Sequence, residues 1–546
     1  MKHANLIDLF TKSVYETAYE ITDGKITFSD KKAHENPDLP YILPGFIDAH
    51  VHIESSMLTP PQFARMAVVH GTVGSVSDPH EIANVLGIKG VEYMIEESKR
   101  VPFKFCLGAP SCVPATSFET AGARLTPADI DYLLHKPEIG YLAEMMNFPG
   151  ILHDDPDLLK ILNHAKKHKK PIDGHAPGLS GADAKKYISS GISTDHECVT
   201  FQEAEEKISY GAKILIREGC AARNFDALIP LFTQYPEKLM FCSDDKHPDM
   251  LAKGHINLLV KRAIELGYDT FDVLRAACIN PVMHYQLDVG LLREGDPADF
   301  IEIDNLQNLS IRKTYINGEL VAVDGVSNLP DLRSLHLNNF DCQLTQPSDF
   351  DLPIPVSQSQ TIKVIEALDG QLITRQFDYT VPGTTGKITS APDEDILKIA
   401  VINRYQKSPV SVALVKGFGI KSGAMASSVA HDSHNIIVVG ADEESMSAAA
   451  NEIINNKGGL SAYVGQQIIS LSLPIGGIMT DKDGYEVASQ YSILDQCVKK
   501  EMGSTLRSPF MTLSFMALLV IPSLKISDLG LFDTNRFSLI SMFNEC

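Results

Sequence analysis

Between about residue 42 and residue 285 one pattern of apolar and polar positions recurs. Short apolar runs end in polar or small residues: "ILPGFIDAHVH", "GTVGSVSDPH", "FKFCLGAPS", "IGYLAEMM", "KPIDGHA", "ISTDHE", "AKILIREG" and "LMFCSDD". The segments between them, such as "EIANVLGIKGVEYMIEESKR", "DPDLLKILNHAKKH" and "FDALIPLFTQYPEK", carry apolar residues at helical spacing. Several open on a helix-start signal, as in "TPPQFARMAVVH". Strands alternating with helices predict a parallel sheet, and eight such units over roughly 240 residues predict an α/β fold of the (β/α)8 type, a TIM-like barrel over 44–285.

The flanks differ. Residues 1–43 contain the turn-rich strand signal "ITDGKITFSD", and 286–335 contain "GLLREGDPADFIEIDNLQNLSIRKTYINGELV" with its hairpin-like "NGE". These two segments are expected to pair into one small composite β domain. A polar stretch, 336–360, reads as a linker. From 361 to 546 a C-terminal α/β domain is expected, with "NIIVVG" as a buried strand and "DEESMSAAANEIINNKGG" as a helix. The glycine-rich "KGFGIKSGAM" lacks the G-K-[ST] of a phosphate loop and reads as tight turns. The longest apolar stretch, "FMTLSFMALLVIP", is too short to span a bilayer and reads as a buried strand or core helix.

At 546 residues the chain is too long for one core, in keeping with this division. A formal net charge of -21 repels phosphate backbones, which argues against nucleic acid as a partner. Nine cysteines without a CxxC pair or regular spacing predict reduced thiols. The opening residues show no cationic region followed by an apolar core. A cytoplasmic homo-oligomer with no membrane contact is expected.

The candidate chemistry lies where the strands end. His50 and His52 share strand parity and are expected to point inward at the C-terminal mouth of the barrel, where active sites of this architecture gather. Glu144 ends the fourth strand, His175 the fifth, His196 the sixth and Asp244 the eighth. Burying so many polar groups without partners costs several kcal/mol each, roughly. A pair of divalent cations removes that cost, and imidazoles with carboxylates suit Mn(II), Fe(II) or Zn(II). Glu144 has two oxygens to bridge two ions. His50, His52 and Asp244 are expected to hold one ion, and His175 with His196 the other. Such ions, roughly 3.5–4 Å apart, activate a shared water. Asp244 and Glu144 are the expected catalytic residues, Asp244 as a proton carrier. Asp245, of opposite parity, is expected to point away or cap the next helix, and Cys242 to fill the core.

Other polar residues at the mouth have two readings each. His80 touches a substrate ring or is a loop residue. Arg217 and Glu218 recognise ring nitrogens or pair with each other. Glu81 suits a first helical turn, Glu197 suits a residue that orients a ligand, and Ser111 suits the pocket lining. His431, Asp432 and His434, in "AHDSHN", form a lid or an extra metal contact over the mouth, or simply a structural hydrogen-bonded turn.

With these residues in place, "PGFIDAHVHIESS" resembles the opening metal motif of the amidohydrolase superfamily. The set "HVHIESSM", "SDPHEIANV", "EMMNFPGI", "GHAPG", "STDHE", "CSDD" and "SSVAHDSHNIIVVG" is most similar to the adenine deaminase family, from about residue 20 to about 535. Many relatives in the superfamily bridge their metals with a carboxylated lysine on strand four. Here that place holds Glu144, as in adenine deaminases. The resemblance implies hydrolysis of adenine to hypoxanthine and ammonia at C6, with Asp244 shuttling the proton. The ligand set alone equally suits an amidohydrolase acting on a cyclic amide or a related nucleobase.

Overall fold

The computed structural model describes residues 1–220, 222–354, 360–381 and 386–543. Eight parallel strands follow one another in chain order: Phe46–Val51, Thr72–Ser77, Lys104–Ala109, Ile139–Met145, Ile172–Gly174, Thr194–Asp195, Lys213–Arg217 and Leu239–Cys242. The first five form one sheet and the last three another. Two joints close the ring. Ser193 N donates to Ile172 O at 2.8 Å, and Asp244 N donates to His50 O at 2.9 Å, where Val51 pairs with Asp244. The result is a TIM-like barrel. Gly174 permits the tight fifth joint, because a Cβ there would lie 2.4 Å from Thr194 O.

The interior under the mouth is packed. Ala49, Val76, Cys106, Tyr141, Ala143, Leu215, Met240, Cys242 and Tyr285 form one buried cluster, so Cys242 is a core residue. Strand one does not follow simple alternation. It advances from Asp48 to Val51 while strand two advances from Ser75 to Ser77. This bulge sends Ala49 into the interior while His50 still reaches the mouth. His52 lies past the strand, at the start of the 3-10 helix Ile53–Ser56.

Two expected helices are interrupted. "EIANVLGIKGVEYMIEESKR" splits at Gly87 into His80–Leu86 and Ile88–Ser98. "FDALIPLFTQYPEK" gives only Phe225–Leu228 and two 3-10 turns. Pro230 and Pro236 each lack the N–H that a continuing helix requires.

The flanking segments share an eight-stranded sheet. Its joint is the antiparallel pairing of Tyr41–Pro44 with Phe300–Ile303. Asp23 and Gly24, and Asn317 and Gly318, all have positive φ, which suits two-residue hairpin turns. The stretch from 336 is irregular but tied down. Asn338 Nδ2 donates to Lys457 O at 2.7 Å, and Thr345 N donates to Asn451 Oδ1 at 2.8 Å. The last part of that expected linker, 355–359, lies outside the described residues.

The C-terminal region holds a second eight-stranded sheet, mostly antiparallel, that includes Ile436–Gly440. The helix Glu443–Asn456 packs on this sheet and is capped by Asp442, whose side chain accepts from Ser445 N. "FMTLSFMALLVIP" folds into the buried helix Pro509–Phe515 and the turns after it. Among the described residues every cysteine is a free thiol, and no helix is long and apolar enough to cross a membrane.

Candidate metal centre at the barrel mouth

Each strand end that carries a candidate ligand is held by hydrogen bonds of its own. Ser111 Oγ donates to Glu144 O at 2.5 Å, so Ser111 fixes the fourth strand and does not line the pocket. Tyr187 OH donates to Met145 O at 2.8 Å and accepts from His175 N at 3.0 Å, joining strands four and five. Buried Lys207 donates to Ala176 O at 2.7 Å and to Asp195 Oδ2 at 2.9 Å, joining strands five and six. Asn224 Nδ2 donates to His196 O and Cys198 O, both at 3.0 Å. Asp48 Oδ1 accepts from Ser243 N at 2.9 Å, beside Asp244.

These ties bring His50, His52, Glu144, His175, His196 and Asp244 together, all of them buried. His50 Nε2 lies 3.2 Å from His52 Nε2. His52 Nε2 lies 3.4 Å from Glu144 Oε1 and 3.5 Å from Asp244 Oδ1, and His50 Nε2 lies 3.8 Å from the same Asp244 oxygen. The other Glu144 oxygen, Oε2, faces His175 Nδ1 at 2.7 Å and His196 Nε2 at 3.2 Å. One ion with tetrahedral bonds near 2.1 Å sets its ligand atoms about 3.4 Å apart. The observed spacings around His52 fit that value. The rings of His50 and His196 stack at 4.1 Å.

Electrostatics favour charged carboxylates here. Burial would raise the Asp244 carboxyl, yet Arg217 and the neighbouring histidines hold it well below its ordinary range. Glu144 is likewise held down against burial, by His175 and His196. Burial keeps His50 neutral, as a ligand must be. Arg217 Nη1 donates to Asp244 Oδ2 at 2.5 Å and to Glu197 Oε1 at 2.6 Å, and its Nη2 donates to Glu197 Oε2 at 2.8 Å. Glu197 Oε1 in turn lies 3.6 Å from His175 Nδ1 and 3.5 Å from His196 Nε2. One guanidinium therefore links the two sides of the cluster.

The cavity enclosed above these groups is small, about 30 Å³. His52, His80, Glu144, His175, His196 and Asp244 border it from the barrel, and Leu372, His431, Asp432, Phe515 and Leu518 roof it from the C-terminal region. It shares Glu197, Arg217 and Leu372 with an outer cleft of about 480 Å³. His80 stands between two carboxylates, with Nδ1 3.1 Å from Asp78 Oδ2 and Nε2 3.7 Å from Asp432 Oδ1. The ring of His431 stacks on Phe515 at 4.6 Å.

Several expected placements need correction. Glu218 neither enters this cavity nor pairs with Arg217. It lies 3.4 Å from Arg262 and faces a separate cleft, because neighbouring strand residues point to opposite faces. His434 does not border the cavity. It lies behind it, with Nε2 3.8 Å from Glu81 Oε2. Its Nδ1 accepts from Ala430 N at 3.3 Å, and its Nε2 belongs with Glu81 and His431 to a second buried group whose donor atoms lie close enough to hold an ion. Glu81 sits in the first turn of His80–Leu86 but is buried, its Oε1 2.8 Å from Ser55 Oγ. Asp245 borders the cavity and accepts from Ser55 Oγ at 2.6 Å. Strand parity fails for it because Asp244 has φ +55°, which turns the chain after Ser243.

Asp78, Leu372, Phe515 and Leu518 escaped the reading of the sequence, whereas Asp432 borders the cavity as part of the "AHDSHN" segment expected over the mouth. Asp78 stands two residues before His80, in the same "SDPH". The three apolar residues reach the site through packing of distant segments.

Comparison with known proteins follows this division. Residues 41–321 match the amidohydrolase family, and residues 371–538 match the adenine deaminase C-terminal domain. An adenine deaminase of Salinibacter ruber is 52% identical over 540 residues, 98% of each chain. That of a Sulfurovum species is 52% identical over 538 residues, again 98% of each. The chain belongs to the adenine deaminase family. The adenine deaminase of Methanosarcina mazei is 49% identical over 548 residues, 98% of each chain. Both family-defining regions meet at one cavity: the amidohydrolase part carries the imidazoles and carboxylates, and the part characteristic of adenine deaminases carries the roof. The amidohydrolase match and the buried His, Asp and Glu groups together indicate a divalent metal centre.

Proposed function

We propose that the protein is a cytoplasmic, homo-oligomeric adenine aminohydrolase that uses two divalent ions, Mn(II) or Fe(II), with Zn(II) as a further option. Adenine plus water gives hypoxanthine plus ammonia. The observation that carries this reading is the donor set around Glu144, one oxygen toward His52 and the other toward His175 and His196, beneath a roof built by the adenine deaminase C-terminal region. In this assignment His50, His52 and Asp244 hold one ion, His175 and His196 hold the other, and Glu144 is shared. When bound, such ions acidify water and polarise the group under attack.

The chain's own groups manage the proton. Arg217 keeps Asp244 as a carboxylate, oriented with Oδ1 toward the histidines and Oδ2 on the guanidinium. Asp244 accepts a proton from the attacking water and returns it to the amino group leaving C6. One C–O bond forms and one C–N bond breaks; one water proton completes the ammonia and the other ends on N1 of hypoxanthine, leaving C6 as a carbonyl. Glu197 holds Arg217 from the opposite side with two hydrogen bonds. His80, placed between Asp78 and Asp432, faces the ring, and Phe515, Leu518 and Leu372 exclude water from it. The net charge of -21 disfavours nucleic acid as a partner.

The test is ammonia release from adenine by protein reconstituted separately with Mn(II), Fe(II) and Zn(II). Conversion with at least one metal is expected. Failure with all three, in protein that has taken up metal, would sink the assignment.

A further inference from the structure

Lys525 lies in the short strand Leu524–Ser527 and is fully buried. Its Nζ donates to Leu372 O at 2.7 Å and to Phe515 O at 2.8 Å. Both acceptors belong to residues that roof the cavity. Phe515 is the last residue of the helix Pro509–Phe515, so its carbonyl is one of those a helix end leaves without an internal partner. Leu372 lies in a non-helical, non-strand segment and borders both the inner cavity and the outer cleft. One amine thus binds both of these pieces of the roof from a single point.

The surroundings reinforce that joint. Thr374 Oγ1 donates to Leu524 O at 2.7 Å and accepts from Leu524 N at 3.1 Å. Ile526 N donates to Met516 O at 3.1 Å. The residues on either side of Lys525 therefore hold the same two segments. Burial alone pushes the Lys525 ammonium down to about 7. A buried amine without a paired carboxylate is costly, and a methionine of similar length would fill the space more cheaply. What methionine lacks is the N–H donors that satisfy two backbone carbonyls from one point.

We infer that Lys525 is a positioning residue for the substrate pocket: through Leu372 and Phe515 it sets the roof under which the purine ring is held. The inference rests on the adenine aminohydrolase reading for its kinetic part. Its structural part stands apart from that reading. Phe515 also carries His431 by ring stacking, so the placement of that imidazole follows from the same joint.

The test uses the full-length, metal-loaded protein and Lys525→Met. We expect the KM for adenine to rise about tenfold while kcat falls by less than about threefold, the pattern of lost ring binding with the chemical step intact. Metal content is expected to equal that of the unsubstituted protein. A lowered kcat with unchanged KM, or a loss of thermal stability alone, would overturn the positioning role. If Lys525→Met does not fold, Leu372→Ala removes a half-buried wall instead, and an unchanged KM in that variant overturns the inference. Hydrogen exchange of peptides covering 370–374 and 513–518 separates the two readings. Faster exchange in Lys525→Met upholds the joint even if adenine proves not to be the substrate, and equal exchange refutes it even if adenine is.

Discussion

The walls and the roof of the cavity are built on different principles. The walls are side chains at the ends of parallel strands, each anchored by hydrogen bonds to its neighbours, with donor atoms spaced as one small cation would space them. The roof comes from three separate places in the C-terminal region, around Leu372, Asp432 and Phe515; one buried lysine joins the first to the last, and the His431 ring stacks on Phe515. The walls hold most of the charge, and the roof adds apolar surface and closure together with His431 and Asp432. Catalytic power and substrate fit are therefore expected to fail separately.

The largest effect is expected from Glu144→Gln. It removes the carboxylate whose two oxygens face both sides of the cluster, so metal analysis should find well below two ions per chain. Turnover should fall by more than the roughly 100-fold that loss of a ligand's hydrogen-bond partner costs. Metal content equal to that of the unsubstituted protein would deny Glu144 its shared position. Next comes Asp244→Asn, which keeps the shape but cannot accept the proton. A loss of about 10²–10⁴ in kcat is expected, with more metal retained than in Glu144→Gln, both read on the same preparations.

Asp432→Asn probes the roof. It should leave metal content unchanged and raise the KM for adenine about tenfold, and lost metal here would erase the distinction between walls and roof. The smallest effect concerns stability. The folded-state value of Lys525, about 7, lies below the ordinary 10.5. Between those values the unfolded chain binds the proton and the folded chain does not, so stability rises with pH. The Tm of the protein relative to Lys525→Met should therefore increase from about pH 7 to about pH 9.5 by this linkage. A constant difference would show that the amine is not desolvated.

The same contrast explains what could be read before the fold was known. Strand ends carry a period of two and a fixed mouth. The fixed mouth made His50, His52, Glu144, His175, His196 and Asp244 legible as residues at strand ends, and so were the eight strands, although the period of two did not hold in strand one, where a bulge carries His50 to the mouth and His52 lies past the strand. The rule also contained the separation of Arg217 from Glu218, since adjacent strand residues diverge. It failed at Asp245, where a left-handed residue ends the pleat. The roof has no period. Leu372, Phe515 and Leu518 look like ordinary apolar residues, and only tertiary packing gives them a substrate to face. His431 and His434 stand three apart in a turn, yet one borders the cavity and the other lies behind it.

The composite sheet has a consequence for synthesis. Tyr41–Pro44 finds its partner on one side only in Phe300–Ile303, so that strand edge stays open while roughly 260 residues follow. At about 5–20 residues per second the wait is roughly 13–50 s. An open apolar edge is a template for mispairing with other chains. On the ribosome, then, the beginning of this chain stays unsheltered on that side until its own middle arrives to cover it.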